Sequence, residues 1–404
     1  MTLPLAAYRL ATRAAQPLLA RHLARRARAG KESPAHLHER RGQTRHIVPG
    51  DLIWLHGASL GETTALKPLT TRLLADTSAN LLITCQTLSA HTRLLARYAD
   101  IPRVEVAFAP LDTPAFARTF LENWKPRAAI FAESEIWPNL LGELAARNIP
   151  AALVNARLND ASLSRWARYP RTARKVFATF NPILAADMAT LENLEEILER
   201  DIALTQNLKF AAVPDAPDTA ALAALRARLG ERPAWCALSI HAEETDVLRA
   251  FAATVIETAQ SPAKSRPVMV VVPRYPGSLD QLADDDTIVL PGFGTTSLAC
   301  AVSRFALVGG SLNPSLKGHN PLEPMHLGLP VATGLHTTSF SPVMAGYFAA
   351  LDIPQADSLT HAATWLTDPE SLARDTAAAK AFAKSNADVI DAVMAHLQPI
   401  LNAR

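Results

Sequence analysis

Residues 54–63 read WLHGASLGET, and three of them, His56, Ser59 and Glu62, are of types that do chemistry. Gly57-Ala58-Ser59-Leu60-Gly61 matches the G-x-S-x-G elbow that presents a serine nucleophile in α/β hydrolases. The context argues against that third-ranked reading. An elbow follows several strands, yet only a basic segment precedes DLIWLHG, and no HGGG-type oxyanion segment lies upstream. Dinucleotide binding fits no better: the G-x-G-x-x-G spacing is missing, and Thr84, Cys85 and Gln86 end the second apolar run where an acid is wanted. Two readings remain. Gly57 and Gly61 turn a strand into a helix whose N-terminus favours Glu62, or Glu62 is a carboxylate base with His56 beside it.

A second stretch, Gly309 to Pro324, reads GGSLNPSLKGHNPLEP. A strand runs into a glycine-rich loop, and a helix is predicted to start near Asn320. Free backbone N–H groups at such a start suit a phosphate, and Glu323, one turn in, could accept hydrogen bonds from a ribose diol. No Walker lysine-serine pair follows, so the cargo is a nucleoside mono- or diphosphate rather than a hydrolysed triphosphate. A bare turn rich in glycine and proline is the bland alternative.

The elements that must position these residues are legible. DLIWLHG, NLLITC, RVEVAFA, RAAIFAE, AALVNA and NPILAA are short apolar runs separated by helix-length amphipathic stretches, the pattern of a parallel sheet with crossover helices. After the poorly periodic TQNLKFAAVPDAPD, a second series follows: WCALSI, RPVMVVV, TIVL, RFALVGG and LPVATG, then a helical tail. Two Rossmann-like domains are expected, 46–205 and 219–404, with a linker at 206–218 and the C-terminal helices assigned to the second domain. Ligands of open α/β sheets bind beyond the carboxyl ends of strands. Those positions hold His56, Ser59, Gly61 and Glu62, then Glu133 and Glu135, then Asn155 and Arg157, and in the second series Ser239, His241, Arg274, Tyr275 and Gly309 to Ser311.

With 49% apolar and 19% charged residues among 404, the chain is written to fold throughout. A net charge of +2 does not suggest a nucleic-acid partner. Three scattered cysteines support neither a disulfide framework nor a thiolate metal site, and fit a reducing compartment. Residues 1–45 form a basic segment: Arg9, Arg13, Arg21, Arg25, Arg26, Arg28 and Lys31 precede the first acid, Glu32. Arg21, Arg25 and Arg28 share a helical stripe opposite Leu19 and Leu23, as in a helix lying on an anionic membrane surface. A solvated helix or an organellar transit peptide would look similar, whereas a secretory signal or a transmembrane span would not.

The blocks HGASLGE (56–62), FAPLDTPAFARTFLENWKPRAAIFAESEIWPNLL (108–141), NARLNDASL (155–163), NLKF (207–210), SIHAEE (239–244), VPR (272–274) and GGS, GHNPLEP and GLPVATGLH resemble the Kdo transferases. HERRG (38–42) is similar to the basic segment that follows the N-terminal anchor in that family. The resemblance implies the α/β GT-B fold, two Rossmann-like domains facing a cleft. It also implies transfer of 3-deoxy-D-manno-octulosonic acid (Kdo) from CMP-Kdo to a lipid A precursor at the cytoplasmic face of the bacterial inner membrane.

Carried over by position, the resemblance makes Glu62 the general base. It places His56, Ser59, Gly61, Glu133, Glu135, Asn155 and Arg157 on the acceptor side, and Ser239, His241, Arg274, Gly309, Gly310, Ser311, Gly318, His319, Asn320 and Glu323 on the donor side. It implies no metal and no cofactor, since Arg274 and loop N–H groups would offset the charge on departing CMP. Tyr275 stands where the family has histidine, Thr295 to Leu298 replace a GEL-type segment, Gln206 replaces a glycine and Leu335 a proline. These departures keep open a degenerate GT-B protein with another donor or acceptor, or one that binds nucleotide sugar without turnover.

Overall fold

The structure, a computed structural model, describes residues 2–44, 50–292 and 294–402. The expected start of the first domain, residue 46, lies outside the described residues. The chain forms two compact units, Met1–Ala212 together with Asp388–Arg404, and Val213–Ala387.

The first unit is built on β1 (Leu52–His56), β2 (Asn80–Cys85), β3 (Val104–Phe108), β4 (Ala128–Ala132), β5 (Ala151–Ala156), β6 (Phe180–Ala185) and β7 (Ala203–Leu204). They pair in the order β3-β2-β1-β4-β5-β6-β7, all parallel. β1, β2, β4 and β5 are buried along their whole length, which is why they read as unbroken apolar runs rather than alternating ones. Helices start where short polar side chains can take a free backbone N–H: Thr87, Thr113, Asn159 and Asp187 each cap one. β7 has only two residues, too few for a periodicity to announce it.

The second unit holds β8 (Ala234–Ile240), β9 (Val268–Pro273), β10 (Thr287–Val289), β11 (Ala306–Val308) and β12 (Val331–Thr333), in the parallel order β10-β9-β8-β11-β12. Trp235 and Phe305 stack at 5.3 Å in its core, with Phe251 and Trp365 packed around them. Both sheets are doubly wound, so each has a switch point where neighbouring strands send their connections to opposite faces. That point lies between β1 and β4 in the first unit and between β8 and β11 in the second.

Two parts of the chain depart from the sequence reading. The tail was expected wholly in the second domain, but only Pro369–Ala387 belongs there, while helix Val389–Leu401 returns to the first unit. Its stripe of Val389, Ile390, Val393, Met394, Leu397, Ile400 and Leu401 packs on helix Lys67–Asp76, β5, β6 and the turn Leu208–Ala211. Arg72 fixes its start through Asp391 at 2.5 Å, and Arg127 holds its end by donating to the Leu401 carbonyl. Within the expected linker, Leu208–Ala211 forms a helical turn that belongs to the first unit.

The N-terminal helix Leu3–Arg28 is docked on the first unit. Tyr8 donates to Asp112 at 2.9 Å, Asn139 to Thr12 at 3.0 Å and Thr172 to Thr2 at 2.8 Å. Arg21, Arg25 and Arg28 are exposed and Leu23 is buried, in keeping with the two stripes. Among the described residues no helix is long and apolar enough to cross a membrane.

Candidate functional site

At the first switch point, β1 ends in His56 and the chain turns into helix Leu60–Ala65. A Cβ on Gly57 would lie 3.1 Å from Glu62 Cβ and 3.2 Å from Thr63 N, so the glycine lets the helix come this close. Gly61 is different: an added Cβ would meet only Ser59 Oγ, at 3.8 Å. Ser59 is the helix cap. Its Oγ accepts from Glu62 N at 3.3 Å and donates to Glu62 Oε1 at 2.8 Å, while Ala58 N donates to Glu62 Oε2 at 2.8 Å.

His56 bonds Thr84 and Glu135 rather than Ser59, so it does not serve Ser59 as the histidine of a hydrolase would. Trp54 Nε1 can only donate, to Thr84 Oγ1 at 2.8 Å. His56 Nδ1 lies 2.8 Å from the same threonine hydroxyl, and its Nε2 lies 3.1 Å from Glu135 Oε2, where the carboxylate accepts. Trp137 Nε1 donates to the same oxygen at 2.9 Å.

Glu133 follows β4 with φ +58° and reaches Lys209 Nζ at 2.8 Å. Asn155, fully buried with φ +53°, takes the Leu208 N–H at 2.9 Å and donates to Glu133 at 3.4 Å. It fastens the turn that carries Lys209. Arg157 stands on an exposed flank, 3.5 Å from Asp187.

The outcome is three carboxylates, Glu62, Glu133 and Glu135, gathered at one switch point. Burial pushes the Glu62 carboxyl above its ordinary range, and the charges of Glu135 and Glu133 add to this against the Ser59 and Ala58 hydrogen bonds. Such a carboxylate holds a proton more readily than an exposed one does.

The second unit shows the same construction. Glu244, with no exposed surface, accepts from Gly310 N at 2.9 Å, Leu312 N at 2.9 Å and His241 N at 3.0 Å. These loop N–H groups, read from sequence as free for a phosphate, are therefore held by a carboxylate. Leu322 N is likewise taken by Asn320 Oδ1 at 3.1 Å, at the start of helix Leu322–His326. Ser311 is fully buried, donating to Val308 O at 2.6 Å and accepting from Gly334 N at 2.9 Å.

Beside the loop lies an imidazole pair, His241 buried and His319 half-buried. His241 Nε2 and His319 Nε2 are 2.8 Å apart, with their rings nearly coplanar, and the Tyr275 ring meets His241 edge-on at 5.8 Å. Burial, then the charge of Arg274 and then His241 bring His319 down to about 4, so one nitrogen donates and the other accepts. Arg274 begins just after β9, its N–H bonded to Ile240 O at 2.8 Å. Ser239 has φ +56°, and a Cβ on Gly309 would lie 2.8 Å from its carbonyl. Gly318, at φ +81°, closes the loop by donating to Gly310 O at 2.8 Å. Glu323 is partly buried, and burial raises its carboxyl above the ordinary range.

The sequence signature of the family described as 3-Deoxy-D-manno-octulosonic-acid transferase (kdotransferase) matches residues 35–212. The 3-deoxy-D-manno-octulosonic acid transferase of Haemophilus influenzae is 30% identical over 325 residues, covering 73% of this chain and 73% of that one. The chain belongs to the Kdo transferase family. It is a glycosyltransferase. The family's enzyme from Bordetella pertussis is 29% identical over 424 residues, 94% of this chain and 95% of that one. A solved UDP-GlcNAc 2-epimerase from Neisseria meningitidis superposes with a TM-score of 0.55 at 13% identity, over 87% of this chain and 100% of that one. That likeness carries the GT-B fold alone.

Three residues of this Kdo transferase, Lys209, Thr84 and Glu244, carry no motif of their own. NLKF and SIHAEE are legible as blocks, but only the folded chain brings Lys209 to Glu133 and Glu244 to the glycine loop.

Proposed function

We propose that the protein transfers Kdo from CMP-Kdo to a lipid A precursor in lipopolysaccharide biosynthesis, with Glu62 as general base and without a metal in the transfer step. The observation that carries this reading is the environment of Glu62. Its carboxylate is oriented by Ala58 N–H and the Ser59 hydroxyl, and its proton affinity is raised by burial and by Glu135 and Glu133. In this reading an acceptor hydroxyl approaches Glu62 and gives up its proton as the bond to the anomeric carbon forms. Glu133, Glu135, Lys209 and His56 bind the acceptor sugar. Arg274 and the His241–His319 pair receive the departing CMP.

The exposed Arg21, Arg25 and Arg28 support residence on an anionic membrane surface at the cytoplasmic face. A groove of about 610 Å³ lined by Arg9, Arg13 and Arg118 together with Leu10 and Pro114 suits the phosphates of lipid headgroups or of the acceptor.

The test is incubation with CMP-Kdo and tetraacylated lipid A precursor, read by mass spectrometry in the presence of EDTA. Wild type is expected to add Kdo, and Glu62→Gln to bind CMP-Kdo but leave the acceptor unchanged. Transfer by the variant at a near wild-type rate would move the base elsewhere. For membrane residence, Arg21, Arg25 and Arg28 replaced together by Gln should release the protein from anionic liposomes, and unchanged binding would refute it.

A further inference from the structure

Two imidazoles and a carboxylate that the transfer chemistry does not use meet where residues 34–41 cross the first unit. His36 Nδ1 lies 2.6 Å from Glu39 Oε1, and His91 Nε2, on helix Leu88–Tyr98, lies 3.5 Å from Glu39 Oε2. One ligand atom from each residue falls within 4.8 Å of both others. A hydrogen-bonded His36–Glu39 pair accounts for two of the three residues. It does not account for His91, which is 2% exposed and whose Nε2 faces Glu39 without a hydrogen-bond partner. A buried polar nitrogen left unpaired is costly and uncommon.

We propose that His36, Glu39 and His91 form a zinc site. Tetrahedral zinc with ligands at about 2.0–2.2 Å sets its donor atoms roughly 3.3 Å apart. The 2.6 Å separation runs to Oε1 and the 3.5 Å separation to Oε2, so a small shift of the Glu39 carboxylate with an opening from His36 brings one oxygen into range of both imidazoles. Two imidazole nitrogens and one carboxylate oxygen suit zinc and not the oxygen-seeking magnesium or calcium. Groups behind the ligands already hold them in place. Phe108 N donates to Glu39 Oε2 at 2.6 Å, and the His91 ring stacks on Phe108 at 4.1 Å with an interplanar angle of 10°. Arg40, next to Glu39 in the chain, is paired with Glu32 at 2.9 Å. The His36 side chain is 34% exposed, which leaves an entry path and room for water as fourth ligand.

The role of such a site is structural. It clamps residues 34–41, whose Arg40 also reaches Gln86 at 2.6 Å, onto the helix that follows β2. The test uses the full chain without an affinity tag, stripped of metal and titrated with zinc against a chromophoric chelator. Wild type is expected to retain one equivalent and to gain thermal stability on loading. His91→Gln and His36→Gln should each weaken zinc by about 10–100-fold or more, since each removes a ligand outright. His22→Gln, at an exposed histidine elsewhere, should change nothing. Substoichiometric binding by wild type, or equal binding by His36→Gln, would overturn the assignment. Because His36 is the least buried ligand, that variant keeps the test valid even where His91→Gln does not fold.

Discussion

Ser59 and Glu62 hold each other by two hydrogen bonds: the serine hydroxyl gives its proton to the carboxylate at 2.8 Å and takes the glutamate N–H at 3.3 Å. The hydroxyl that resembled a nucleophile is thus a tuning group for the carboxylate beside it.

This relationship fixes the sign of two pH effects. The Ser59 bond lowers the Glu62 pKa, so Ser59→Ala should move the acid limb of the transfer rate to higher pH. Glu135 raises that pKa, so Glu135→Gln should move the limb to lower pH. Rates of both variants measured from pH 4 to 8 check the pair, and shifts in the same direction would contradict it.

Gly57→Ala forces a Cβ to 3.1–3.2 Å from Glu62 and Thr63. A cost of about 1–3 kcal/mol is expected, as for overpacking elsewhere. The transfer rate should fall further than stability alone explains, because the Cβ and backbone that carry the carboxylate are pushed. Denaturant titration beside kcat separates the two losses. Gly61→Ala, meeting only Ser59 Oγ at 3.8 Å, is the mild control.

Glu244→Gln replaces a carboxylate that accepts three backbone N–H groups by an amide that must turn a donor toward one of them. Losing one such buried bond costs about 1–3 kcal/mol. Nucleotide binding by calorimetry should weaken along with the stability of the second unit.

The folded His319 sits at about 4 against an ordinary 6.5, so below about pH 6.5 the unfolded chain takes up a proton that the folded chain refuses. Stability from this group is complete above that range and is lost as pH falls toward 4. His319→Gln, neutral throughout, should flatten the acid slope of stability between those values. An unchanged slope in urea titrations at stepped pH would count against it.

Leu397 has no exposed surface in the helix that returns to the first unit, so Leu397→Ala should cost about 2–5 kcal/mol. Hydrogen exchange should show the loss in β5 and β6 and leave β8 to β12 protected.

Strands buried on both faces announced themselves in the sequence because every residue of LIWLH or NLLITC must be apolar or satisfied. Their carboxyl ends then located His56, Glu62, Glu133, Glu135 and His241 without further information. Partnerships were another matter. Nothing local to Glu244 says that its carboxylate will fill with loop N–H groups 66 and 68 residues away. Nothing in Asn155 says that it will anchor the turn bearing Lys209. The returning helix was readable as a helix, but an apolar stripe does not name the surface that covers it.

That return has a consequence for how the molecule is made. The second unit, Val213–Ala387, is an insertion within the first, whose last helix is synthesised only after the inserted unit. During translation the first unit exposes the apolar bed for Val393, Leu397 and Leu401 while the whole insert is still emerging. Completion of the first unit is thereby timed by the making of the other, and a chain stalled inside the insert presents an uncovered, aggregation-prone surface.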